Sequence, residues 1–175
     1  NNWIYGMTGG QCSPTTPHGS RATTAQDGNP EGSFDISGLA IAAGASYVAR
    51  GTVAKPFMLE KYIEAAIRKK GFSLVEAFTP CPTAYGRQNK RGKASSLMNF
   101  IEENTVSQKR AAKMSPEELA DKMITGVLTD IEKPEYSSQY DQLIARVSSN
   151  GQSLMDLPKR EVIAAGEVLA GGTRA

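Results

Sequence analysis

Cysteine, histidine and net charge are all scarce in this chain of 175 residues, and each scarcity excludes a class of protein. Its 2 cysteines are too few for a disulfide framework, so a reducing, cytoplasmic location is expected. Its net charge of +2 is too small to predict nucleic acid as a partner. No apolar run approaches the roughly 20 residues of a membrane-spanning helix, so we expect no membrane segment.

Histidine catalysis is almost unavailable in this chain. The single histidine, His18, lies between a proline and a glycine, where an exposed loop is expected. Hydrophobic residues make up 39% and charged residues 22% of the chain, a composition typical of globular domains. The sequence therefore predicts one folded domain of ordinary size, with little imidazole chemistry of its own.

An apolar strand that breaks into glycines opens the chain. Trp3 to Tyr5 is predicted to be a strand, and Gly6 and the pair Gly9-Gly10 follow it before a run of hydroxyl residues and prolines. α/β sheets present backbone N–H groups to phosphates from a glycine-rich loop that follows a strand. A simple tight turn explains the same glycines, and the two explanations are compatible.

A strand–helix–strand unit follows further along the chain. The pattern predicts a strand at 47–50, an amphipathic helix at 55–70 and a buried strand at 74–78. Such a crossover implies parallel strands in a sheet with helices on both faces. Functional loops of these sheets lie at the carboxyl ends of strands, so we expect the 6–11 loop and Cys81 at one edge.

The remaining segments are predicted to be one loop and several helices. The loop is at 12–33 on the surface, and the helices are at 34–45, 96–113, 115–127, 136–147 and 158–169. Ser115 to Glu118 has the pattern of a capping box. We therefore expect two parts, an α/β part at 1–110 and a helical extension at 111–175. The tail from about Lys133 is expected to pack against a partner subunit.

Three separated stretches, in the same order, resemble the thiamine-diphosphate-binding β subunit of the 2-oxoacid:ferredoxin oxidoreductases. They are the run Tyr-Gly-Met-Thr-Gly-Gly-Gln-Cys-Ser-Pro-Thr after Asn1-Asn2, the segment 34–50, and Thr-Pro-Cys-Pro-Thr at 79–83. The resemblance is close over about residues 1–105 and looser beyond them. It is strongest to the 2-oxoglutarate members of the family. It implies a thiamine-diphosphate-binding α/β fold with a C-terminal helical extension.

The resemblance also implies that the chain is the C-terminal portion of a longer subunit. In the family, a Gly-Asp-Gly segment that binds magnesium and three cysteines of an iron–sulfur cluster come before this motif. Neither feature is present in the sequence. We therefore expect this portion to be inactive alone.

The family motif assigns cofactor contacts to named positions of this chain. The cofactor-binding set is Asn2, Ile4, Gly6, Met7, Thr8, Gly9 and Gly10. By resemblance, the Asn2 side chain and the Ile4 carbonyl bind Mg²⁺, both pointing the same way from an extended strand. Met7 is expected to shape the oxoacid pocket, and Thr8 to donate a hydrogen bond to the diphosphate.

The two cysteines receive different assignments. Cys81 lies between prolines and resembles the remote fourth ligand of a 4Fe-4S cluster, whereas an isolated cysteine of this kind is more often a buried, inert thiol. Cys12 is expected to be a small residue near the cofactor and not a ligand. The basic residues that follow, Arg87, Lys90, Arg91 and Lys93, are either a solvated loop or a docking patch for acidic ferredoxin.

The resemblance implies an enzyme that decarboxylates a 2-oxoacid oxidatively with coenzyme A. We expect 2-oxoglutarate as substrate, succinyl-CoA as product, ferredoxin as electron acceptor, and an α subunit and further subunits as partners. Thiamine diphosphate supplies its own acid–base chemistry, which suits a chain so poor in histidine. The open alternatives are pyruvate or branched-chain 2-oxoacids, a thiamine diphosphate enzyme without a cluster, and a non-catalytic subunit-interaction fragment.

Overall fold

The computed structural model describes residues 1–120 and 122–150. Its helices and strands, in chain order, are β1 (Ile4–Tyr5), β2 (Gln11–Cys12), α1 (Ile36–Ala42), β3 (Tyr47–Thr52), α2 (Pro56–Arg68), β4 (Ser73–Phe78), a π-helical turn (Pro82–Gly86), α3 (Ala94–Glu103), β5 (Thr105–Ser107), α4 (Gln108–Ala111), α5 (Pro116–Leu119), β6 (Met123–Asp130) and α6 (Tyr136–Asn150). Strands β4, β3, β6 and β5 form one sheet in that order, while β1 and β2 form a separate hairpin.

The predicted crossover unit is confirmed at the β4 end of this sheet. Strands β3 and β4 are parallel, and α2 connects them. Alternate residues of β3 face opposite helices. Val48 packs with Ala40 of α1, whereas a Cβ on Gly51 would lie 3.0 Å from Leu59 of α2. Helices therefore cover both faces of the sheet, as expected.

The helix predicted at 115–127 is wrong beyond its first turn. The capping box at Ser115 is present, but α5 ends at Leu119, and 123–130 is the strand β6. Strand β6 pairs antiparallel with β3 and parallel with β5, so the sheet is mixed and not purely parallel. The residues of β6 include Val127 and other β-branched side chains that suit a strand, and this preference outweighs a helical spacing of apolar residues.

The helix predicted at 96–113 is also shorter than expected. Helix α3 ends at Glu103, where the Asn104 side chain donates to the carbonyl of Phe100 at 2.8 Å, and β5 begins at Thr105. Asparagine and the β-branched residues that follow it have low helix propensity, which explains the break. The apolar spacing of this helix predicts Leu97, Phe100 and Ile101 as its core stripe. Leu97 and Ile101 are buried, and Phe100 is half-buried against the same cluster as Leu97.

The C-terminal predictions differ in their outcome. The helix expected at 136–147 is confirmed as α6, and the one expected at 158–169 lies outside the described residues. The division into parts at 1–110 and 111–175 stays a prediction, although β6 hydrogen-bonds to β3 across that boundary. No helix within the described ranges has the length and apolar character needed to cross a membrane.

The loop predicted on the surface at 12–33 is partly buried. After Cys12, the last residue of β2, it contains no helix or strand, as expected, and His18 is exposed. Thr16 and Asn29, however, are buried, and the Asn29 amide donates to the Thr16 carbonyl at 3.0 Å. The Ser20 hydroxyl lies 3.1 Å from the hydroxyl of Tyr85. The loop therefore forms part of the packing around the N-terminal turn.

Candidate functional site

The N-terminal segment lies alongside the carboxyl end of β4. The Asn1 N–H donates to the Ala77 carbonyl at 2.8 Å, and Thr79 N–H donates to the Asn1 carbonyl at 2.9 Å. This pair of bonds is the pattern of parallel strands. Cys81 N–H then donates to the Asn2 carbonyl at 3.4 Å. Asn1 and Asn2 therefore continue the sheet at the edge where functional loops are expected.

The chain bends sharply at Trp3. Its φ is 60°, in the left-handed region that a bulky residue rarely occupies, so Asn2 and Ile4 do not lie on one extended strand as predicted. Packing holds this conformation, because the buried Trp3 ring meets Tyr85 edge-on at 5.1 Å between centroids and also contacts Phe78. The bend is the first part of the site that only the structure reveals.

The two adjacent asparagines differ in their hydrogen bonds. The Asn1 Nδ2 donates to Glu76 at 2.7 Å, and its Oδ1 accepts from Trp3 N–H at 3.1 Å and from the Thr15 hydroxyl at 2.9 Å. Asn2 is exposed, and its side chain makes no hydrogen bond within the part of the chain that the structure describes. Each polar atom of the Asn1 side chain thus has a partner, while the Asn2 amide is available to a ligand.

Both predicted magnesium ligands face Gly6. The Asn2 Nδ2 lies 3.8 Å from the position of a Cβ on Gly6, and Gly6 N–H donates to the Ile4 carbonyl at 2.9 Å. A carbonyl oxygen has a second lone pair for a cation. Oxygen donors of this kind fit Mg²⁺, but six are needed, and the described ranges contain no cluster of three or more His, Cys, Asp or Glu. A Mg²⁺ ion held here would need its remaining ligands from a bound phosphate group, water or other residues.

The glycine pair forms a tight turn. Gly9 and Gly10 have φ values of 122° and 85°, which side chains other than glycine rarely adopt. Gly10 N–H donates to the Tyr5 carbonyl at 2.8 Å, and the Thr8 hydroxyl donates to Gln11 at 2.7 Å. The Thr8 hydroxyl is therefore engaged inside the turn in this structure. The Met7 side chain is fully exposed, with a relative accessibility of 102%.

Cys81 lies directly against the turn from Gly6 to Gly10, which we call the glycine turn. The prediction that the 6–11 loop and Cys81 lie at one edge of the sheet is therefore confirmed. A Cβ on Gly6 would lie only 2.9 Å from the Cys81 sulfur. The half-buried thiol begins the π-helical turn, where Ala84 N–H donates to the sulfur at 3.3 Å. Backbone N–H···S bonds of this type tune cluster thiolates, so the setting suits a cluster ligand. Cys12 packs against the same apolar cluster as Cys81.

A charge pair with a buried carboxylate, which bonds to Asn1, was missed by sequence reasoning. Glu76 accepts from Arg50 Nε at 2.8 Å and from the Ser37 hydroxyl at 2.7 Å, and Arg50 also pairs with Asp35. Arg50 and Glu76 are register partners in β3 and β4. The sequence does contain a signal for this pair, because each of two neighbouring apolar strands contains one charged residue of opposite sign. Charges buried in proteins are normally paired, so the two side chains could have been expected to meet.

The basic residues after Cys81 are all exposed. Among the residues described, Arg87, Lys90 and Lys93 form no ion pair, and the Arg91 guanidinium stacks on the Phe100 ring at 4.1 Å. Arg21 joins them, because Asn89 accepts from the Arg21 N–H at 2.7 Å and donates to the Arg21 carbonyl at 2.9 Å. We call the exposed cations at 21, 87, 90, 91 and 93 the basic surface.

A cleft of about 690 Å³ adjoins the same edge. It is lined by Asn1, Asn2, Tyr5, Phe34 and β4 among others, and β4 is the edge strand of the sheet.

The ionisable groups with perturbed pKa values lie elsewhere. Hydrogen bonds from Lys69 to Asp130 and Glu132 raise the pKa of that lysine, for example, at the opposite end of the sheet.

Comparisons with known proteins identify the relationship. Residues 1–77 match the family described as thiamine pyrophosphate enzyme, C-terminal TPP binding domain. The chain is 48% identical over 149 residues to the 2-oxoglutarate synthase subunit KorB of Methanocaldococcus jannaschii. The alignment covers 85% of this chain and 55% of that protein. The chain is related to the β subunits of the 2-oxoacid:ferredoxin oxidoreductases. The expected resemblance is thereby confirmed.

Two further relatives agree with this relationship. The β subunit of a 2-oxoacid:ferredoxin oxidoreductase from Saccharolobus solfataricus is 29% identical over 169 residues, covering 90% of this chain and 53% of that protein. A solved 2-oxoglutarate:ferredoxin oxidoreductase from Magnetococcus marinus superposes with a TM-score of 0.68 over 99% of this chain and 56% of its own, at 23% identity, which shows the shared fold. The chain thus spans about half the length of the relatives it matches.

The family match places the candidate site in context. The matched residues 1–77 contain the asparagine pair, the glycine turn and Glu76, whereas Cys81 and the basic surface lie beyond them. The family match therefore covers the N-terminal turn and most of β4, and it ends before Cys81. The alignment to the subunit from M. jannaschii extends over 149 residues, well past the domain match.

Proposed function

We propose that the chain is part of the β subunit of a coenzyme-A-dependent 2-oxoglutarate:ferredoxin oxidoreductase of the cytoplasm. The reaction converts 2-oxoglutarate and coenzyme A to succinyl-CoA and carbon dioxide, and passes two electrons through an iron–sulfur cluster to ferredoxin. The observation that carries the proposal is the direct contact between the glycine turn and the Cys81 sulfur, with the unbonded Asn2 amide beside them. The relatives named as 2-oxoglutarate synthase subunits favour this substrate.

The diphosphate side of the site would be built by the N-terminal turn. The Asn2 side chain and the Ile4 carbonyl would hold Mg²⁺, and the backbone from Gly6 to Gly10 would approach the diphosphate of thiamine diphosphate. The bound cofactor supplies carbanion chemistry at the 2-oxoacid carbonyl. Met7, which is exposed in this chain, would line the oxoacid pocket, where an apolar side chain leaves room for a substrate longer than pyruvate.

The electron side of the site would be built by Cys81. A 4Fe-4S cluster needs four thiolates, so the other three would come from residues outside this sequence. Hydrogen bonds of the kind that Ala84 N–H donates to this sulfur would raise the reduction potential of a cluster held here, because they stabilise its more negative form. The basic surface follows Cys81 along the chain and would receive an acidic ferredoxin, with the α subunit and any further subunits on other faces.

The proposal is tested on the full-length subunit assembled with its partners. Calorimetric titration with Mg²⁺ and thiamine diphosphate should show binding, and Asn2→Ala should weaken it about tenfold or more. Cys81→Ala should lower the iron and sulfide content while leaving thiamine diphosphate binding in place. Asp27→Ala, an exposed change in the loop, serves as control for both.

The alternatives predict different outcomes of the same measurements. A thiamine diphosphate enzyme without a cluster would bind the cofactor and contain no iron or sulfide. A non-catalytic interaction fragment would bind no cofactor even when all subunits are present. Faster turnover of pyruvate or branched-chain 2-oxoacids than of 2-oxoglutarate would keep the enzyme class and change the substrate.

The basic surface has its own test. Reversing Arg87 and Lys90 to glutamate should lower the ferredoxin-dependent rate and flatten its salt dependence, because opposite charges steer association. The rate with a small viologen acceptor should not change. Reversing Lys61 and Lys109, which are exposed on α2 and α4, is the matched control. Equal ferredoxin rates in both variants would exclude docking at this surface.

A further inference from the structure

The strongest feature outside the proposed cofactor contacts is the buried carboxylate of Glu76. It lies inside β4, is 7% exposed, and both of its oxygens are occupied. One accepts from Asn1 Nδ2 at 2.7 Å, and the other accepts from Ser37 Oγ at 2.7 Å and Arg50 Nε at 2.8 Å. A buried carboxylate needs such partners, because an unpaired charge in the interior is costly.

Arg50 fixes the position of this carboxylate. It projects from β3 directly opposite Glu76, pairs with Asp35 as well, and lies over the Phe78 ring at 5.7 Å. Three donors from α1, β3 and the N-terminal segment therefore converge on one side chain. The carboxylate has little freedom to move, so it can serve as a fixed point for whatever it binds.

The Glu76 carboxylate binds the side chain of Asn1, which precedes the proposed metal ligand Asn2 in the chain. All polar atoms of Asn1 are bonded: its backbone to Ala77 and Thr79, its Nδ2 to Glu76, and its Oδ1 to Trp3 and Thr15. The bend at Trp3 follows within two residues. Asn1 thus anchors the chain, and Asn2 presents its unbonded amide from that anchor.

We infer that Glu76, held by Arg50, is a positioning residue that sets the affinity of the Asn2 site for a divalent cation. Glu76 does not touch the cation or the diphosphate; it acts through the side chain of Asn1. This inference rests on the proposed function, because it requires that Asn2 binds Mg²⁺ together with thiamine diphosphate. Partners that orient metal ligands in this way typically change metal affinity by about 10–100-fold.

The test uses the full-length subunit in its complex, with Mg²⁺ titrated calorimetrically at a fixed concentration of thiamine diphosphate. Glu76→Gln should weaken Mg²⁺ binding about tenfold or more, because the amide offers Arg50 and Asn1 one acceptor in place of two. The Mg²⁺ concentration for half-maximal activity should rise by the same factor, while kcat at saturating Mg²⁺ stays within about twofold. Asp130→Asn, which alters a paired carboxylate at the opposite end of the sheet, should change neither.

A second variant keeps the inference testable if Glu76→Gln does not fold. Asn1→Ala removes the hydrogen bond between Asn1 and Glu76 by deleting its donor. It leaves the Arg50–Glu76 ion pair and the backbone bonds of residue 1 intact. It should therefore weaken Mg²⁺ binding by a similar factor. Unchanged Mg²⁺ affinity in a folded variant of either residue would overturn the inference. Failure of the unaltered complex to bind Mg²⁺ and thiamine diphosphate would instead refute the proposed function.

Discussion

The contact between Gly6 and Cys81 gives the sharpest test of the site geometry. A Cβ added at Gly6 would lie 2.9 Å from the Cys81 sulfur, whereas ordinary heavy-atom contacts are about 3.5–4.0 Å. Gly6→Ala therefore forces the turn and the sulfur apart by roughly 0.6–1.1 Å, given that 2.9 Å separation. Gly6 itself does not have a left-handed φ, so the expected cost is steric and not conformational.

Overpacking of this kind costs about 1–3 kcal/mol in the free energy of unfolding. We expect Gly6→Ala to lower the denaturant midpoint of the cluster-free subunit accordingly. Gly86→Ala is the matched control, because a Cβ there would lie 3.8 Å from its nearest neighbours, one of them the carbonyl of the same Cys81. That variant should stay within about 0.5 kcal/mol of the unaltered protein.

A double-mutant cycle isolates the sulfur as the cause. Cys81→Ala removes the atom that the new Cβ would meet, so Gly6→Ala should cost less in that background, with a coupling of about 0.5–3 kcal/mol between the two positions. The reasoning is refuted if Gly6→Ala and Gly86→Ala are equally tolerated. It is also refuted if the cost of Gly6→Ala is the same with and without the sulfur.

Two further predictions concern packing and pH. Trp3→Ala should lower the free energy of unfolding by about 3–5 kcal/mol, measured by chemical denaturation, because the buried ring contacts three aromatic neighbours; a loss under about 1 kcal/mol would contradict its role in holding the bend. Backbone N–H groups of Ser137 and Ser138 lower the pKa of Glu135 below its ordinary 4.5. The Glu135 carboxylate therefore stabilises the start of α6 above pH 4.5, and this stabilisation is lost as the pH falls through the lowered pKa. The rate of amide hydrogen exchange in the first turn of α6 should rise on acidification. Glu135→Gln should abolish that pH dependence.

Local sequence rules predicted a large part of this fold. The crossover of β3, α2 and β4, the capping box at Ser115 and the core stripe of α3 all followed from residue periodicity and terminal signals. The proximity of the glycine turn to Cys81 followed from the rule that loops at strand ends share an edge. These features depend on neighbours within a few residues, or on one topological rule, so a single sequence contains them.

Other features depended on partners that are distant in the chain. Strand β6 needs the hydrogen bonds of β3 and β5 to exist, and its apolar residues alone resembled a helix. Packing against Tyr85 and Phe78 holds Trp3 in a left-handed conformation that its own propensity disfavours.

The candidate site divides in the same way between sequence and tertiary structure. The sequence by itself identified the candidate residues of the turn, from Asn2 to Gly10, and the cysteine between two prolines, because glycines, an amide and a thiol are recognisable wherever they fold. Only the tertiary structure decided that Asn1 is the anchor and Asn2 the available amide. The reason is that Glu76, whose burial demands partners, lies 75 residues away in the chain and bonds to Asn1 and not to its neighbour.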